Sequence, residues 1–449
     1  MKTAIIGAGL RTPLLIHGLA RAHAELPIDE LLLFDLDFSR AQLMAAMGEE
    51  IARGSGMRIR ASARIEEAVE GCTFVISSIR AGGIESRARD ERISMEHGFA
   101  GQETTGPGGF AMAMRTIPAA LDHARLVERR APRAWLINFT NPAGMVTQAV
   151  STHTGARVVG ICDTPAELFF RIQLALGQPA GELEFGYFGL NHLGWVRSVL
   201  SRGSDLIERL FDDDAKLASL YPAKLFDPDL IRSTKLIPTE YLFFYYSKAR
   251  TLCNQRAAGA TRGEELVRLN QSLTADLAAR VADGRVDLAI EIYKKYLNRR
   301  NASYLRLEGS GESAFEQPDH DWDPFEGATG YHRIAVDVMR ALLTCQPSRM
   351  VLNRPNCGAI AGLDAEDVVE VPCAADRSGI RTLPVGALPA PARSLVFSVK
   401  EYERLTIRAA VEQSEPLAAL ALATNPIVGD WDEARALVRD LAPWKSRTA

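Results

Sequence analysis

A cysteine and a histidine stand near the ends of strand-like segments, where their side chains could bind a metal ion. Cys162 follows the apolar run ARVVGI and precedes Asp163, and His192 lies in GLNHLGW. A thiolate and an imidazole can hold one divalent ion while water or substrate oxygens fill its remaining positions. Two protein ligands suit an open catalytic site, since a structural site normally has four. The spacing alone favours a buried free cysteine and a core histidine instead.

A glycine turn near the N-terminus is typical of a nucleotide site. Gly7, Ala8 and Gly9 follow the strand-like KTAII, and Asp35 follows the next one, LLLF. Backbone N–H groups of such a turn approach a pyrophosphate, and the acid bonds a ribose hydroxyl. Thr12 stands in the region where the full fingerprint has its third glycine. A tight strand-to-helix turn without a cofactor therefore stays open as an alternative.

A glycine-rich segment and three arginines follow the third predicted strand, CTFVISSI. GFAGQETTGPGG has five glycines, which predicts a loop where the backbone comes close to a ligand. Arg80, Arg87 and Arg89 precede it, and a planar guanidinium suits a phosphate or carboxylate. The alternative is a solvated basic stretch.

Two further segments carry polar side chains that could bind a ligand. NFTNPAG places Asn138 and Asn141 after a strand, at the edge where open α/β sheets bind ligands, although either could instead cap the next helix. QPDHDWDPFEG gathers Asp319, His320 and Asp323, but consecutive residues cannot all face one ion. We expect a solvated acidic loop there.

The elements that must position these residues alternate between strand and helix. Over residues 1–165, buried apolar runs separated by helical stretches predict a parallel sheet covered on both faces. The fold class is therefore α/β, with a Rossmann-like, doubly wound N-terminal domain. Residues 166–449 mix longer helices with alternating segments, which predicts a second, α+β domain.

Composition excludes several classes of protein. The chain has 449 residues, 47% of them hydrophobic, and a net charge of −4, which gives no electrostatic field for nucleic acid. No apolar run is long enough for a membrane helix, and MKTAIIGAG lacks a cleavable signal. The six cysteines form no CxxC pair, which favours free thiols. We expect a cytoplasmic protein without nucleic-acid or membrane partners.

The motifs together resemble those of glycoside hydrolase family 4, the NAD- and metal-dependent glycosidases. The resemblance runs through IIGAG, GQETTGPGG, INFTNPAG, GICDTP and FGLNHLGW and continues in LIRSTKLIPTEYLFFYY. No single motif is specific, but the combination is. The resemblance is closest to the 6-phospho-β-glucosidases of this family. Unlike most glycosidases, enzymes of the family do not hydrolyse their substrates with a pair of carboxylates.

The resemblance implies a role for each matching position. Cys162 and His192 would hold the metal, usually Mn²⁺. The NAD site would consist of Gly7, Ala8, Gly9, Asp35, Arg80 and Asn138. For the substrate, Arg87 and Arg262 would bind the sugar 6-phosphate, Asn141 would contact the sugar, Tyr241 would be the general base, and Asp163 would be an acid.

The implied reaction is oxidation, elimination, addition and reduction. NAD⁺ takes a hydride from carbon 3, the resulting ketone acidifies carbon 2, and Tyr241 removes that proton while the metal stabilises the enediolate. The leaving group departs, water adds, and the hydride returns. The substrate would be a phosphorylated disaccharide or an aryl glycoside, and such enzymes are commonly homodimers or homotetramers.

Two departures keep alternatives open. Typical phospho-β-glucosidases carry Asn where this chain has Asp163, whereas phospho-α-glucosidases carry Asp. A 6-phospho-α-glucosidase is therefore the second choice, and a family 4 enzyme for non-phosphorylated sugars is the third. The glycine turn is also shorter than usual, so that Arg11 could approach the cofactor phosphates or the substrate phosphate. Two alternatives from other functional classes also stay open, a simple NAD-dependent dehydrogenase and an inactive NAD-binding sensor.

Overall fold

A parallel sheet forms the N-terminal part of the computed structural model, which describes residues 1–179, 181–309, 323–327, 329–345 and 347–444. Its strands are β1 (Lys2–Ile6), β2 (Glu30–Phe34), β3 (Arg58–Ser62), β4 (Phe74–Ser77), β5 (Trp135–Asn138) and β6 (Arg157–Gly160). They lie in the order β3-β2-β1-β4-β5-β6. This order confirms the doubly wound prediction and places a ligand-binding crevice where the strand order reverses, beyond β1 and β4.

Helices connect these strands. They are α1 (Thr12–Arg21), α2 (Phe38–Ile51), α3 (Ile65–Val69), α4 (Gly83–Glu96), α5 (Gly106–Arg130), α6 (Ala143–His153) and α7 (Thr164–Leu176). Apart from β3, in which both arginines are exposed, the strands are largely buried, as in ELLLF of β2, where four of five residues are buried. Continuous apolar runs of this kind are typical of a parallel sheet that helices cover on both faces.

The rest of the chain adds strands of mainly antiparallel pairing and longer helices. Its strands are β7 (Glu184–Leu190), β8 (Leu193–Ser201), β9 (Ser204–Asp205), β10 (Ile237–Pro238), β11 (Ser348–Pro355), β12 (Val368–Asp376) and β13 (Gly379–Thr382). Its α-helices are α8 (Glu208–Phe211), α9 (Asp214–Ser219), α10 (Pro228–Thr234), α11 (Phe243–Tyr246), α12 (Lys248–Ala258), α13 (Arg262–Ala282), α14 (Val286–Ala302), α15 (Tyr331–Leu343), α16 (Ala390–Glu412), α17 (Glu415–Thr424) and α18 (Trp431–Leu441). The 3₁₀ turns are Glu240–Leu242 and Pro324–Glu326. The predicted mixed α+β character is confirmed.

The C-terminal strands take part in two sheets. β7, β8 and β10 form a separate antiparallel sheet, to which β9 is added. β11, β12 and β13 instead extend the N-terminal sheet beyond β6, through a pairing of Asn353 with Gly160. Strands from both sides of the predicted division after residue 165 thus share one sheet, and that division stays a prediction.

The glycine-rich loop is shorter than predicted. α5 already begins at Gly106, so three of the five glycines of GFAGQETTGPGG lie in its first turns. A Cβ on Gly108 would lie 2.2 Å from the Gln102 carbonyl oxygen, and one on Gly109 would lie 2.3 Å from the Thr104 carbonyl carbon. These glycines therefore let residues 102–105 fold back against the helix that follows them.

Candidate active site

The turn after β1 has the geometry of a nucleotide-binding turn. Gly7 has a φ of 88°, and a Cβ there would lie 2.6 Å from the Ser78 carbonyl oxygen. The N–H groups of Gly7 and Ala8 donate to the Phe34 carbonyl at 2.9 and 3.1 Å. No described residue lies within 4 Å of the Cβ position of Gly9. The chain therefore packs tightly on one side of the turn and leaves the other side open for a ligand.

Asp35 lies beside this turn and keeps one oxygen available. Its Oδ1 accepts from Arg40 Nη2 at 2.6 Å and from the Asp37 N–H at 3.0 Å. In the part of the chain that the structure describes, no donor reaches Oδ2. This oxygen fits the predicted bond to a ribose hydroxyl.

Asn138, which the sequence assigns to the cofactor, shapes the loop after β5. Its amide donates to the Thr140 carbonyl, the Ala143 carbonyl and the Thr147 hydroxyl, and its oxygen accepts from the Thr140 N–H. Asn141 is half-buried, and its side chain makes no hydrogen bond to a described residue. A cofactor contact by Asn138 stays a prediction, while Asn141 has free donors for a substrate.

Two arginines pair with buried carboxylates on α4 and the loop before α5. Arg80 Nη1 lies 2.6 Å from Glu103 Oε2, and Arg87 Nη1 lies 2.9 Å from the same oxygen. Arg87 Nε also donates to Glu91 at 2.7 Å, and the other Glu91 oxygen accepts from the Gly263 N–H at 2.6 Å. Glu91 therefore joins Arg87 to the first turn of α13, which Arg262 begins.

Arg262 lies at the same end of the site as Arg87. Its guanidinium pairs with Glu265 and donates to the Arg300 carbonyl at 2.7 Å. Burial lowers the pKa of Arg262, and the nearby charge of Arg87 contributes to that shift. The structure thus brings together the two arginines predicted to hold a phosphate. Each already has a carboxylate partner.

Cys162 and Asp163 lie between β6 and α7, as predicted. The Cys162 side chain is buried, and burial, followed by the charges of Glu370 and Asp163, raises the pKa of its thiol. A neighbouring cation would be needed to hold the thiolate at neutral pH. Burial also raises the pKa of the Asp163 carboxyl, which favours its protonated form.

The contacts of His192 are compatible with the tautomer that a metal ligand needs. Its Nδ1 lies 2.8 Å from Thr104 Oγ1, and Thr104 Oγ1 lies 2.9 Å from Gln102 Oε1. Gln102 Oε1 also accepts from the Thr105 N–H at 2.8 Å, which identifies it as the acceptor. When the Thr104 hydroxyl donates to Gln102, it accepts from the Nδ1–H of His192, and the Nε2 lone pair stays free. Burial lowers the pKa of His192 to about 4, so the imidazole is neutral.

Tyr241 lies directly against His192. The two rings stack with centroids 3.8 Å apart. The Tyr241 hydroxyl lies 3.1 Å from that of Tyr304, which in turn donates to Glu240 Oε1 at 3.2 Å. Burial, with the charges of Glu240 and Glu103, raises the pKa of Tyr241 well above 10. The described protein alone therefore keeps this phenol protonated at neutral pH.

Sequence reasoning missed several residues around this centre. Burial raises the pKa of Glu240 to about 8, so this carboxyl is largely neutral at pH 7. Glu240 could have been found from its place beside Tyr241 in TEYL, but Tyr304 carries no signal in its own segment. Glu370 of β12 accepts from Tyr187 at 2.7 Å and from Asn191 at 3.1 Å, and thereby holds the hairpin that carries His192.

The donor set fits an open metal site. The described residues contain no cluster of three or more His, Cys, Asp or Glu side chains that could hold an ion. Cys162 and the free Nε2 of His192 would supply two ligands and leave positions for substrate oxygens. In the segment QPDHDWDPFEG, Asp319 and His320 lie outside the described residues, whereas Asp323 pairs with Lys294.

Comparison with known proteins identifies the family. The model of family 4 glycosyl hydrolases matches residues 2–176, and the model of the family 4 glycosyl hydrolase C-terminal domain matches residues 187–428. The chain therefore belongs to glycosyl hydrolase family 4, a family of glycosidases. In the part of the chain that the structure describes, no helix is long and apolar enough to cross a membrane.

Individual relatives extend over nearly the whole chain. A probable 6-phospho-β-glucosidase of Bacillus subtilis is 29% identical over 95% of this chain and 92% of its own length. The 6-phospho-β-glucosidase of Thermotoga maritima, solved with manganese, NAD⁺ and glucose-6-phosphate, has a TM-score of 0.80 and 27% identity, covering 98% and 97% of the two chains. A 6-phospho-α-glucosidase from gut microorganisms, solved with NAD and glucose-6-phosphate, has a TM-score of 0.79 and 26% identity, covering 98% and 96%.

Proposed function

We propose that this protein hydrolyses 6-phospho-β-glucosides with NAD⁺ and a divalent metal ion, Mn²⁺ being the first choice. The observation that carries the proposal is the pairing of His192 with Tyr241: a neutral imidazole with a free Nε2 stacks on a buried phenol. The relatives from B. subtilis and T. maritima, both named 6-phospho-β-glucosidases, support the substrate class.

Residues of this chain fit both the metal ion and NAD⁺. Cys162 and His192 would hold the metal ion, and the turn from Gly7 to Gly9 with Asp35 would hold NAD⁺. When bound, NAD⁺ accepts and returns a hydride, and the ion acts as a Lewis acid toward the sugar oxygens.

Tyr241 would remove the proton from carbon 2 of the sugar. Its hydroxyl is held by Tyr304, and its ring is fixed against His192, so its direction is set before a substrate binds. Since burial keeps the phenol protonated, Tyr241 can act as a base only when a cation is near. The raised pKa of Asp163 supports a role in protonating the leaving oxygen.

The arginine pair would bind the sugar phosphate. Arg87 uses one N–H donor on Glu91 and forms an ion pair with Glu103, so further N–H donors remain for phosphate oxygens. Arg262 lies beside it through the Glu91 bridge, and Asn141 has a free amide for a sugar hydroxyl. Arg80 is tied to Glu103 and would support this arrangement or the cofactor.

A 6-phospho-α-glucosidase is the second candidate, and Asp163 is the observation that favours it. The gut 6-phospho-α-glucosidase and a phospho-α-glucosidase of Clostridium acetobutylicum, 27% identical over 97% of this chain, support it as well. Elimination from carbon 2 can expel a leaving group of either anomer, so the mechanism itself does not decide. Self-association into a homodimer or homotetramer also stays a prediction.

Hydrolysis of four p-nitrophenyl glucosides tests the proposal. The α and β anomers, each with and without a 6-phosphate, are incubated with and without NAD⁺ and Mn²⁺. We expect release of p-nitrophenol only from the β-glucoside 6-phosphate, and only with both cofactors. Release from the α anomer alone would favour the second candidate. Steady NADH formation from a hydroxy compound, without release from any glucoside, would indicate an ordinary dehydrogenase.

A further inference from the structure

Two arginines of the site have no carboxylate partner among the described residues, in contrast to Arg80, Arg87 and Arg262. The side chains of Arg11 and Arg300 are half-buried, and among the described residues neither guanidinium makes a hydrogen bond or an ion pair. The uncompensated positive charge of the site therefore lies on these two residues.

Aromatic rings fix the Arg11 guanidinium without using its donors. Its central carbon lies 4.5 Å from the ring centroid of Phe139 and 5.3 Å from that of Tyr331, and these two rings stack on each other. The Tyr331 hydroxyl donates to the Arg11 carbonyl at 3.1 Å. Stacking occupies the faces of a guanidinium and leaves its in-plane N–H groups free for an oxyanion.

Helix α14 brings Arg300 to the same region. Tyr293 of this helix donates to the Leu10 carbonyl at 2.6 Å and so fastens α14 to the turn that contains Arg11. Arg300 follows seven residues later, about two helical turns on, and lies on the same face. The Arg300 carbonyl accepts from Arg262 at 2.7 Å, which holds this end of α14 at the site.

Both cations lie near Asp163. Thr329, two residues before Tyr331, donates to Glu167 in the first turn of α7, which Asp163 precedes. Thr164, next to Asp163, and Tyr304, four residues after Arg300, both donate to Glu240 Oε1, at 3.4 and 3.2 Å. Arg11 and Arg300 both oppose the effect of burial on the pKa of Tyr331. Neither arginine makes an ion pair with Asp163. An anion bound beside the two guanidinium groups would compensate their positive charge.

We propose that Arg11 and Arg300 form a second anion-binding subsite beside Asp163, which takes a carboxylate or phosphate group carried by the aglycone. The inference rests on the proposed function, in which Arg87 and Arg262 take the sugar phosphate and Asp163 faces the leaving oxygen. The natural substrate would then carry two anionic groups, one at carbon 6 and one on its leaving group.

A pair of matched substrates tests this subsite. The 4-carboxyphenyl and 4-carbamoylphenyl β-glucoside 6-phosphates differ in the charge of the aglycone but hardly in its size. We expect kcat/KM to be about tenfold or more higher for the carboxyl compound. Arg300→Gln and Arg11→Gln should bring this ratio close to one, whereas Arg299→Gln, at the exposed neighbouring arginine, should preserve it.

Binding measurements separate this inference from the proposed function. Calorimetry on the NAD⁺-loaded protein compares 4-hydroxybenzoate with 4-hydroxybenzamide, and glucose-6-phosphate and NAD⁺ are titrated in parallel. If no glucoside is hydrolysed, the proposed function fails, and preference for the benzoate, lost in Arg300→Gln, would still support the subsite. Equal affinity for the two phenols would overturn it. The proposed subsite would also be overturned if Arg11→Gln and Arg300→Gln weakened only the binding of glucose-6-phosphate or only the binding of NAD⁺. The two arginines would then bind the phosphate groups of those ligands.

Discussion

Replacing Thr104 with valine tests the metal site through a residue that would not itself touch the ion. Thr104 is buried, and its hydroxyl accepts from His192 Nδ1 at 2.8 Å while it donates to Gln102 at 2.9 Å. Valine keeps the shape of threonine but removes this acceptor. Gln102 Oε1 retains the Thr105 N–H, so the principal loss falls on the imidazole.

The size of the effect follows from the tautomer of His192. Without an acceptor at Nδ1, the neutral ring is free to carry its proton on Nε2, where it blocks metal binding. Loss of an outer hydrogen bond to a ligating histidine costs about 10- to 100-fold in metal affinity. This corresponds to about 1.4–2.8 kcal/mol of binding free energy. We expect Thr104→Val to bind Mn²⁺ more weakly by this amount.

Electron paramagnetic resonance of free Mn²⁺ measures the affinity directly on the NAD⁺-loaded protein, without relying on turnover. Thr116→Val is the matched control, because Thr116 is buried on α5 and its hydroxyl has no partner among the described residues. The control should retain the wild-type affinity. A folded Thr104→Val protein that binds Mn²⁺ within about twofold of wild type would refute the role of Thr104 in preparing His192 as a metal ligand.

Three further changes have definite expected outcomes. Tyr241→Phe should lower turnover about a hundredfold or more while Mn²⁺ and NAD⁺ affinities, measured by calorimetry, stay near wild type, since only the base is lost. Gly7→Ala should lower the free energy of unfolding in urea by about 1–3 kcal/mol, because a Cβ would lie 2.6 Å from a carbonyl oxygen and φ is 88°. Burial lowers the pKa of His97, but its bonds to Glu433 and Asp440 outweigh this and leave the pKa above 6.5. The resulting stability, about 1 kcal/mol, should be full below pH 6.5 and lost as pH rises through the higher folded pKa. Urea unfolding at several pH values should show this loss in wild type and not in His97→Gln.

Much of the N-terminal fold follows from local sequence. The apolar runs of β1, β2, β4, β5 and β6 are buried on both faces of a parallel sheet, and such runs have a direct local signature. The short strand β3 was not predicted, since RIRAS alternates buried and exposed residues without an apolar run. The pairing of β11 with β6 could not be predicted either, because nothing in the sequence of either strand specifies a partner so distant in the chain.

Some features of the candidate site could likewise be predicted from the sequence, and others could not. Cys162 and Asp163 follow a strand of the sheet, so their position at its carboxyl edge could be predicted from the sequence. The pairing of Arg87 with Glu91 and Glu103 could not, because no helix was predicted for the segment that forms α4, on which Arg87 lies.

The sequence by itself determined which reactive side chains end the strands of a doubly wound sheet, and the combination of motifs identified the family. The alternation of strands and helices is encoded locally, which is why these features were accessible. Only the tertiary structure decided how the side chains are used: that Thr104 sets the tautomer of His192 and that Tyr304 holds Tyr241. It also decided that Arg11 and Arg300 remain without carboxylate partners among the described residues. These outcomes depend on contacts between segments far apart in the chain, which packing alone brings within hydrogen-bond distance.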